Sequence, residues 1–362
     1  MMGSGGGGKA VFYLSRLIKP TDTPMPAQLK PSEIVRQLSE HVIGQEDAKR
    51  TLAVAIYGHF RRMAANATVD AVELTKSNIL LIGPTGTGKT LLCETLARIL
   101  DLPFVTADAT SLAQTQYVGD EIEAILHRLV DRANGDLARA QRGIVFVDEV
   151  DKLKAAGGQT RATSGESVQH ALLKIMEGAP VKLKDGRLID TTHVLFICGG
   201  AFVGLDHILT KTHTFGFIST TAGDDQKILE RLNARVKPTD LLEFGLIPEF
   251  AGRLPIVTRL HDLTQEMLVR ILTEPKNAIY RQFKAMLAAD GVDLVVEPTV
   301  FRQMAELAIE YKAGARSLRG IFEEMMTDVM YAVPDQPEIR RVVIRSLFEP
   351  AEIAKVDASS QQ

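Results

Sequence analysis

The chain has 362 residues, 45% hydrophobic and 24% charged, and its 42 Lys and Arg against 45 Asp and Glu leave a net charge of −3. That length holds two domains and the composition is that of a globular protein, which excludes the disordered and fibrous classes. The mild acidity argues against nucleic acid as a partner, and no apolar run approaches the roughly 20 residues that span a bilayer.

Residues 1–31 read as a flexible leader: Met1 to Gly8 is Gly-rich, and Pro20, Pro24, Pro26 and Pro31 punctuate the rest. They show no cleavable signal pattern, so a cytoplasmic protein is expected. Regular structure is expected from Ser32, a helix N-cap ahead of Glu33, Ile34 and Val35. Short apolar runs then follow at Asn78–Ile82, Phe104–Ala107, Ile144–Val147, Val194–Cys198 and Ile256–Leu260. Each is bounded by Gly, Pro or acidic residues and separated from the next by a segment long enough for a crossover helix. That pattern predicts strands buried on both faces of a parallel sheet, in a large α/β domain over 32–262. Beyond Leu263, helical stretches at Gln265–Ala289, Thr299–Tyr311 and Ser317–Met330 alternate with runs at Val292–Val296 and Arg341–Arg345. A smaller α+β domain over 263–350 is expected, with 351–362 as a tail. Cys93 and Cys198 are not spaced for a metal, so no zinc is expected and both read as buried apolar residues.

The strongest chemical signal is Gly83-Pro84-Thr85-Gly86-Thr87-Gly88-Lys89-Thr90, a complete P-loop between an apolar run and a predicted helix. Its glycines allow a turn whose amides converge on phosphate oxygens, with the helix N-terminus favouring an anion. Lys89 adds a point charge and Thr90 a hydroxyl for Mg²⁺. Ile144–Val147 ends in Asp148 and Glu149, where a parallel strand delivers ligands. Asp148 is expected on the metal, and Glu149 on the attacking water.

Other candidates leave two readings open on residues alone. Arg253, before the Ile256 run, and Arg316, opening a helix, are each a surface ion-pair partner or a catalytic group. Tyr117, with Val118 and Gly119, is a core aromatic or an exposed gripping group. Phe215-Gly216-Phe217 packs inward or plugs a partner's pocket. Lys154–Ser164 reads as a loop before a helix capped by Thr163 with Glu166 three residues on.

These motifs together resemble the ClpX family of AAA+ ATPases. The P-loop, Ile144–Asp151, Phe196 to Phe202, Phe244 to Phe250 and Gly314 to Arg319 carry the likeness, which covers roughly Ser32 to Arg345. The resemblance implies an AAA+ P-loop domain with a small C-terminal domain, binding ATP and Mg²⁺ and working as a homo-hexamer. Such a ring unfolds tagged proteins and threads them to a ClpP-type peptidase. It also implies roles by position. Val42 and Ile43 face adenine, and Gly83 to Thr90 with Leu91 hold the nucleotide. Arg253 is a finger completing a neighbour's site, and Arg316 senses nucleotide from the small domain. Tyr117, Val118 and Gly119 grip substrate, Lys154–Ser164 forms a second pore loop, and Phe215, Gly216 and Phe217 dock the peptidase. Departures from the family pattern are Gln116 in place of a glycine, Phe215 in place of an aliphatic residue, a shortened basic loop near Lys182–Arg187, and no zinc domain ahead of the ATPase. The intact Lys89, Glu149 and Arg253 set argues against a nucleotide-binding scaffold that never turns over. A DNA-handling AAA+ motor is the alternative that the P-loop alone permits.

Overall fold

The structure is a computed structural model that describes residues 29–66, 75–115, 117–154, 162–213 and 235–355. Five parallel strands form its main sheet: β1 (Ile79–Ile82), β2 (Phe104–Asp108), β3 (Ile144–Asp148), β6 (Leu195–Gly200) and β7 (Ile256–Arg259), in the order β2-β3-β6-β1-β7. The hairpin of β4 (Pro180–Lys182) and β5 (Leu188–Asp190) precedes β6. The predicted strands recur to within two residues. They were legible because side chains alternate between two covered faces, so every position of β1 is buried. Ile79, Leu81, Ile144 and Phe146 pack under the helices Pro31–Ser39, Glu46–Asn66 and Lys89–Ile99. Leu80, Ile82, Val145 and Val147 face the opposite way, toward the helices Val118–Arg132 and Ala162–Glu177.

After β7 the helices Gln265–Thr273, Ile279–Ala289, Pro298–Glu310 and Arg316–Ala332 enclose a separate core with β8 (Asp293–Val296) and β9 (Ile339–Ile344). Family-independent sequence patterning expected one helix over Gln265–Ala289. It is two, because Pro275 has no amide with which to continue the helical hydrogen-bond ladder. Residues 352–355, read as tail, form β10 (Glu352–Lys355), antiparallel to β9. All four are exposed, so no apolar alternation marked them. The first helix begins at Pro31 with Lys30 as its cap rather than at a Ser32 cap, since proline's fixed φ suits the first helical position. The loop Lys182–Arg187 is the turn of the β4–β5 hairpin, with Gly186 at φ +87°. No described helix is long and apolar enough to cross a membrane. Cys93 and Cys198 are free and fully buried, and burial pushes the Cys198 thiol up to about 12.

A cationic cluster is buried at the N-terminal edge of the sheet. His59, 4% exposed, places Nδ1 2.9 Å from Arg62 Nη2 and Nε2 3.1 Å from His193 O. A guanidinium only donates, so Nδ1 accepts and Nε2 carries the proton. Burial first, then the charges of Arg62 and Lys76, press the His59 pKa down to about 3. An unfolded imidazole titrates near 6.5, so the unfolded chain takes up a proton that the fold refuses. Stability therefore falls as pH drops from about 6.5 toward about 3, by a few kcal/mol at about 1.36 kcal/mol per pH unit. His59→Gln keeps one acceptor and one donor without the titration. It is expected to flatten the decline in urea unfolding midpoint between about pH 7 and about pH 4.

Candidate active site

Because the strands are parallel, the C-terminal ends of β1, β3, β6 and β7 meet at one edge. The P-loop leaves β1 there. Gly83 N donates to Gly200 O at 3.1 Å, and Leu260 N donates to Ile82 O at 2.7 Å, so the loop's first residues are fixed to both neighbouring strands. Gly83 has no room for a side chain: a Cβ would lie 2.8 Å from Leu260 O. Thr87 Oγ1 donates to Pro84 O across the turn at 2.8 Å. The loop opens into the helix Lys89–Ile99, whose N-cap Gly88 is left-handed at φ +98° and supplies no side-chain cap. The first-turn amides are thus left for an anion.

Lys89, 8% exposed, donates Nζ to Gly83 O at 2.6 Å and to Pro84 O at 3.0 Å. Burial pulls its ammonium below the usual lysine range, while Asp148 and Asp151 favour the charged form. Thr90 Oγ1 stands 3.4 Å from Asp148 Oδ2. Asp148 Oδ1 accepts from Glu149 N at 2.9 Å, and Glu149 sits left-handed at φ +59°. A cavity of about 560 Å³ is lined by Thr90, Phe146, Asp148, Glu149 and Arg316. The hydroxyl and carboxylate pair is a hard-oxygen donor set of the kind that Mg²⁺ takes.

The small unit reaches this site through backbone. Ala315 N donates to Gly86 O at 3.2 Å, and a Cβ on Gly86 would lie 2.3 Å from Ala313 O. Arg316, the next residue, opens its helix at the mouth of the cavity. The link between the two units is pinned as well. Gln45 donates Nε2 to His261 O at 2.8 Å and accepts from His261 N at 2.9 Å. Nothing local in the sequence marks an amide that pairs 216 positions away. Val42 and Ile43 are buried at 5% and 7% exposure, and Gly44 packs on Met267 of the small unit. Leu91 is 47% exposed on the helix that follows the P-loop.

The remaining candidates lie elsewhere. Arg253 precedes β7 at the sheet edge opposite the P-loop, half exposed, with Nη2 2.7 Å from Glu177 Oε1. Tyr117 is 71% exposed and precedes the helix Val118–Arg132. Val118 is half-buried and Gly119 exposed. A short helix, Ala109–Gln114, stands between β2 and Tyr117 where a loop was expected. The helix capped in expectation by Thr163 starts at Ala162. Most of the Lys154–Ser164 segment, together with Phe215, Gly216 and Phe217, lies outside the described residues.

A family model described as an AAA domain (Cdc48 subfamily) matches residues 74–257, and one described as the C-terminal, D2-small domain of ClpB protein matches residues 263–342. The chain is 46% identical over 330 residues to the ATP-dependent Clp protease ATP-binding subunit ClpX of Treponema denticola, covering 87% of this chain and 80% of that protein. It is 47% identical over 338 residues to the ClpX of Azotobacter vinelandii, covering 87% and 77%. With ClpX 3 of Methylococcus capsulatus it shares 44% over 343 residues, covering 87% and 79%. The chain belongs to the ClpX family. It is therefore a Clp ATPase of the AAA+ class, a chaperone ATPase that uses nucleotide and Mg²⁺. ClpX membership agrees with what the geometry brings together: Thr90 at the end of the P-loop, the acidic end of β3 and Arg316 of the small unit line one cavity.

Proposed function

We propose that the chain is an ATP-driven protein unfoldase and translocase, acting as a homo-hexamer in the cytoplasm and delivering unfolded chains to a ClpP-type peptidase. Tyr117 carries the substrate half of this proposal. A large aromatic left 71% in solvent grips an extended chain by shape and apolar contact, whatever its sequence. Nine positions earlier, Asp108 pairs in register with Asp148, so the segment that carries Tyr117 leaves the sheet at the nucleotide edge.

Within one pocket the roles divide by position. The first-turn amides and Lys89 take the phosphates. Thr90 and Asp148 would hold Mg²⁺, which neutralises charge on the phosphate oxygens when bound. Glu149 orients and polarises the attacking water. Arg316 meets the nucleotide from the small unit, so the angle between the two units answers to nucleotide state. Arg253 is too far along the sheet to serve its own pocket; half exposed and oriented by Glu177, it is presented to stabilise transition-state charge in a neighbour's. The relatives' printed name, a subunit of a Clp protease, supports the peptidase partner. Phe215, Gly216 and Phe217 are the proposed docking group.

Tyr117→Ala tests the substrate half. The residue is exposed, so folding is expected to change by less than about 0.5 kcal/mol and ATP turnover to stay near wild type. ATP-dependent loss of fluorescence from tagged green fluorescent protein, followed with and without ClpP, is expected to disappear. Unfolding by the variant at the wild-type rate would refute threading through Tyr117.

A further inference from the structure

The helix Ala162–Glu177 touches the structures around both Glu149 and Arg253. Near its start Gly165 packs so closely on the chain that a Cβ would lie 2.6 Å from Leu153 O. One turn later Gln169, 0% exposed, donates Nε2 to the same Leu153 O at 2.8 Å and accepts from Ile247 N at 2.9 Å. Leu153 closes the 3-10 turn Val150–Leu153, which begins directly after Glu149. Ile247 caps the short helix Pro248–Gly252, which ends at Arg253. At the far end of the long helix, Glu177 Oε1 accepts from Arg253 Nε at 2.8 Å. Asn78 Nδ2 donates to Met176 O at 3.3 Å and to Arg253 O at 3.1 Å.

Packing alone gives no reason for an amide at Gln169. Its neighbours Val168, Leu172 and Met176 are wholly buried, and a methionine of similar volume would fill the space with apolar surface. What the amide alone supplies is a donor and an acceptor at once, to two turns that are 94 positions apart. Both partners are buried backbone groups that would be left unsatisfied without the amide, so each tie is held firmly.

We infer that Gln169 is a positioning residue that ties the Asp148–Glu149 turn of a subunit's own pocket to the placement of Arg253. This rests on the proposal that Arg253 serves the pocket of a neighbouring subunit. A displacement of the Val150–Leu153 turn is carried by Gln169 into a rigid helix, and from that helix to Ile247 and, through Glu177, to the Arg253 guanidinium. Two pockets that share no residue are thereby coupled inside one chain, and the coupling is reciprocal.

A double-mutant cycle in the full chain tests it, with turnover, affinity for a fluorescent ATP analogue and melting temperature as readouts. Gln169→Met is expected to lower turnover about tenfold with affinity within about twofold, and to add nothing to the loss caused by Arg253→Ala. Losses that multiply, affinity that falls in step with turnover, or unchanged turnover would overturn the inference and leave Gln169 a packing group. Full turnover by Arg253→Ala would instead remove the finger role, and the inference with it. Where Gln169→Met does not fold, Gln169→Glu takes its place: it keeps the volume and the acceptor facing Ile247 N, but its second oxygen donates to Leu153 O only when protonated and opposes it when ionised. Turnover is then expected to fall as pH rises more steeply than in wild type, and a pH profile identical to wild type would overturn the inference.

Discussion

Glu149→Gln is expected to stop ATP turnover while leaving ATP bound. The substitution keeps the size of the side chain and alters neither of the groups that hold the P-loop in place, Gly83 N on Gly200 O and Lys89 Nζ on Gly83 O. The backbone amide of residue 149, which donates to Asp148 Oδ1, is retained too, so the Thr90–Asp148 pair stays as it is. What is lost is the carboxylate next to the Thr90–Asp148 pair that can accept a proton from water, while Asp148 is committed to the amide and the hydroxyl. General-base catalysis contributes about 10²- to 10⁴-fold, so turnover should fall by at least about a hundredfold. Affinity for a fluorescent ATP analogue should stay within about twofold. The left-handed backbone at residue 149 adds no complication, because glutamine meets the same strain as glutamate at φ +59°. Phosphate release measured beside equilibrium binding separates the two quantities. Turnover above about a tenth of wild type would take the base assignment from Glu149.

The difference between what the sequence shows and what the fold adds lies in the range of the interactions. β1, β3 and β6 were legible because every one of their core positions is covered, so composition alone marks them. The P-loop and the Asp148–Glu149 pair were legible because each is a contiguous string whose flanking strand is equally plain. Contacts between distant residues were not. Glu177 holds Arg253 across 76 positions, Gln169 reaches Ile247 across 78, and Gln45 reaches His261 across 216. Each is a polar side chain chosen for one partner's geometry, and neither periodicity nor spacing encodes that choice. Tyr117 shows the same limit from the other side. An isolated aromatic between two helices fits a core position or a solvent position equally well, and only the packed structure leaves it outside. β10 escaped notice for a related reason: a fully exposed edge strand carries no apolar signature, and its identity comes from pairing with β9.

Gly86→Ala and Gly88→Ala form a pair in which the same chemical change should give unequal results. Both glycines are left-handed, at φ +81° and +98°, so an alanine at either costs about 1–2 kcal/mol of backbone strain. At Gly88 the added methyl group meets no atom of the protein within 4 Å. At Gly86 it would lie 2.3 Å from Ala313 O and 3.1 Å from Gly314 Cα, both of them backbone that cannot rotate away. The turn through Ala313 and Gly314 must therefore retreat. Retreat breaks the bond from Ala315 N to Gly86 O, and Arg316 moves with it because it is the next residue in the chain. Relief of such an overlap costs about 1–3 kcal/mol beyond the strain, or several degrees more in melting temperature for Gly86→Ala than for Gly88→Ala without nucleotide. Gly86→Ala should also lose turnover at saturating ATP, since the arginine that the small unit contributes is withdrawn from the cavity it lines with Thr90, Asp148 and Glu149. Gly88→Ala should act on nucleotide affinity instead, because Gly88 caps the helix whose amides face the phosphates. Equal melting temperatures for the two variants would mean that the small unit does not rest on the P-loop through Gly86, and that Arg316 reaches the cavity by another route.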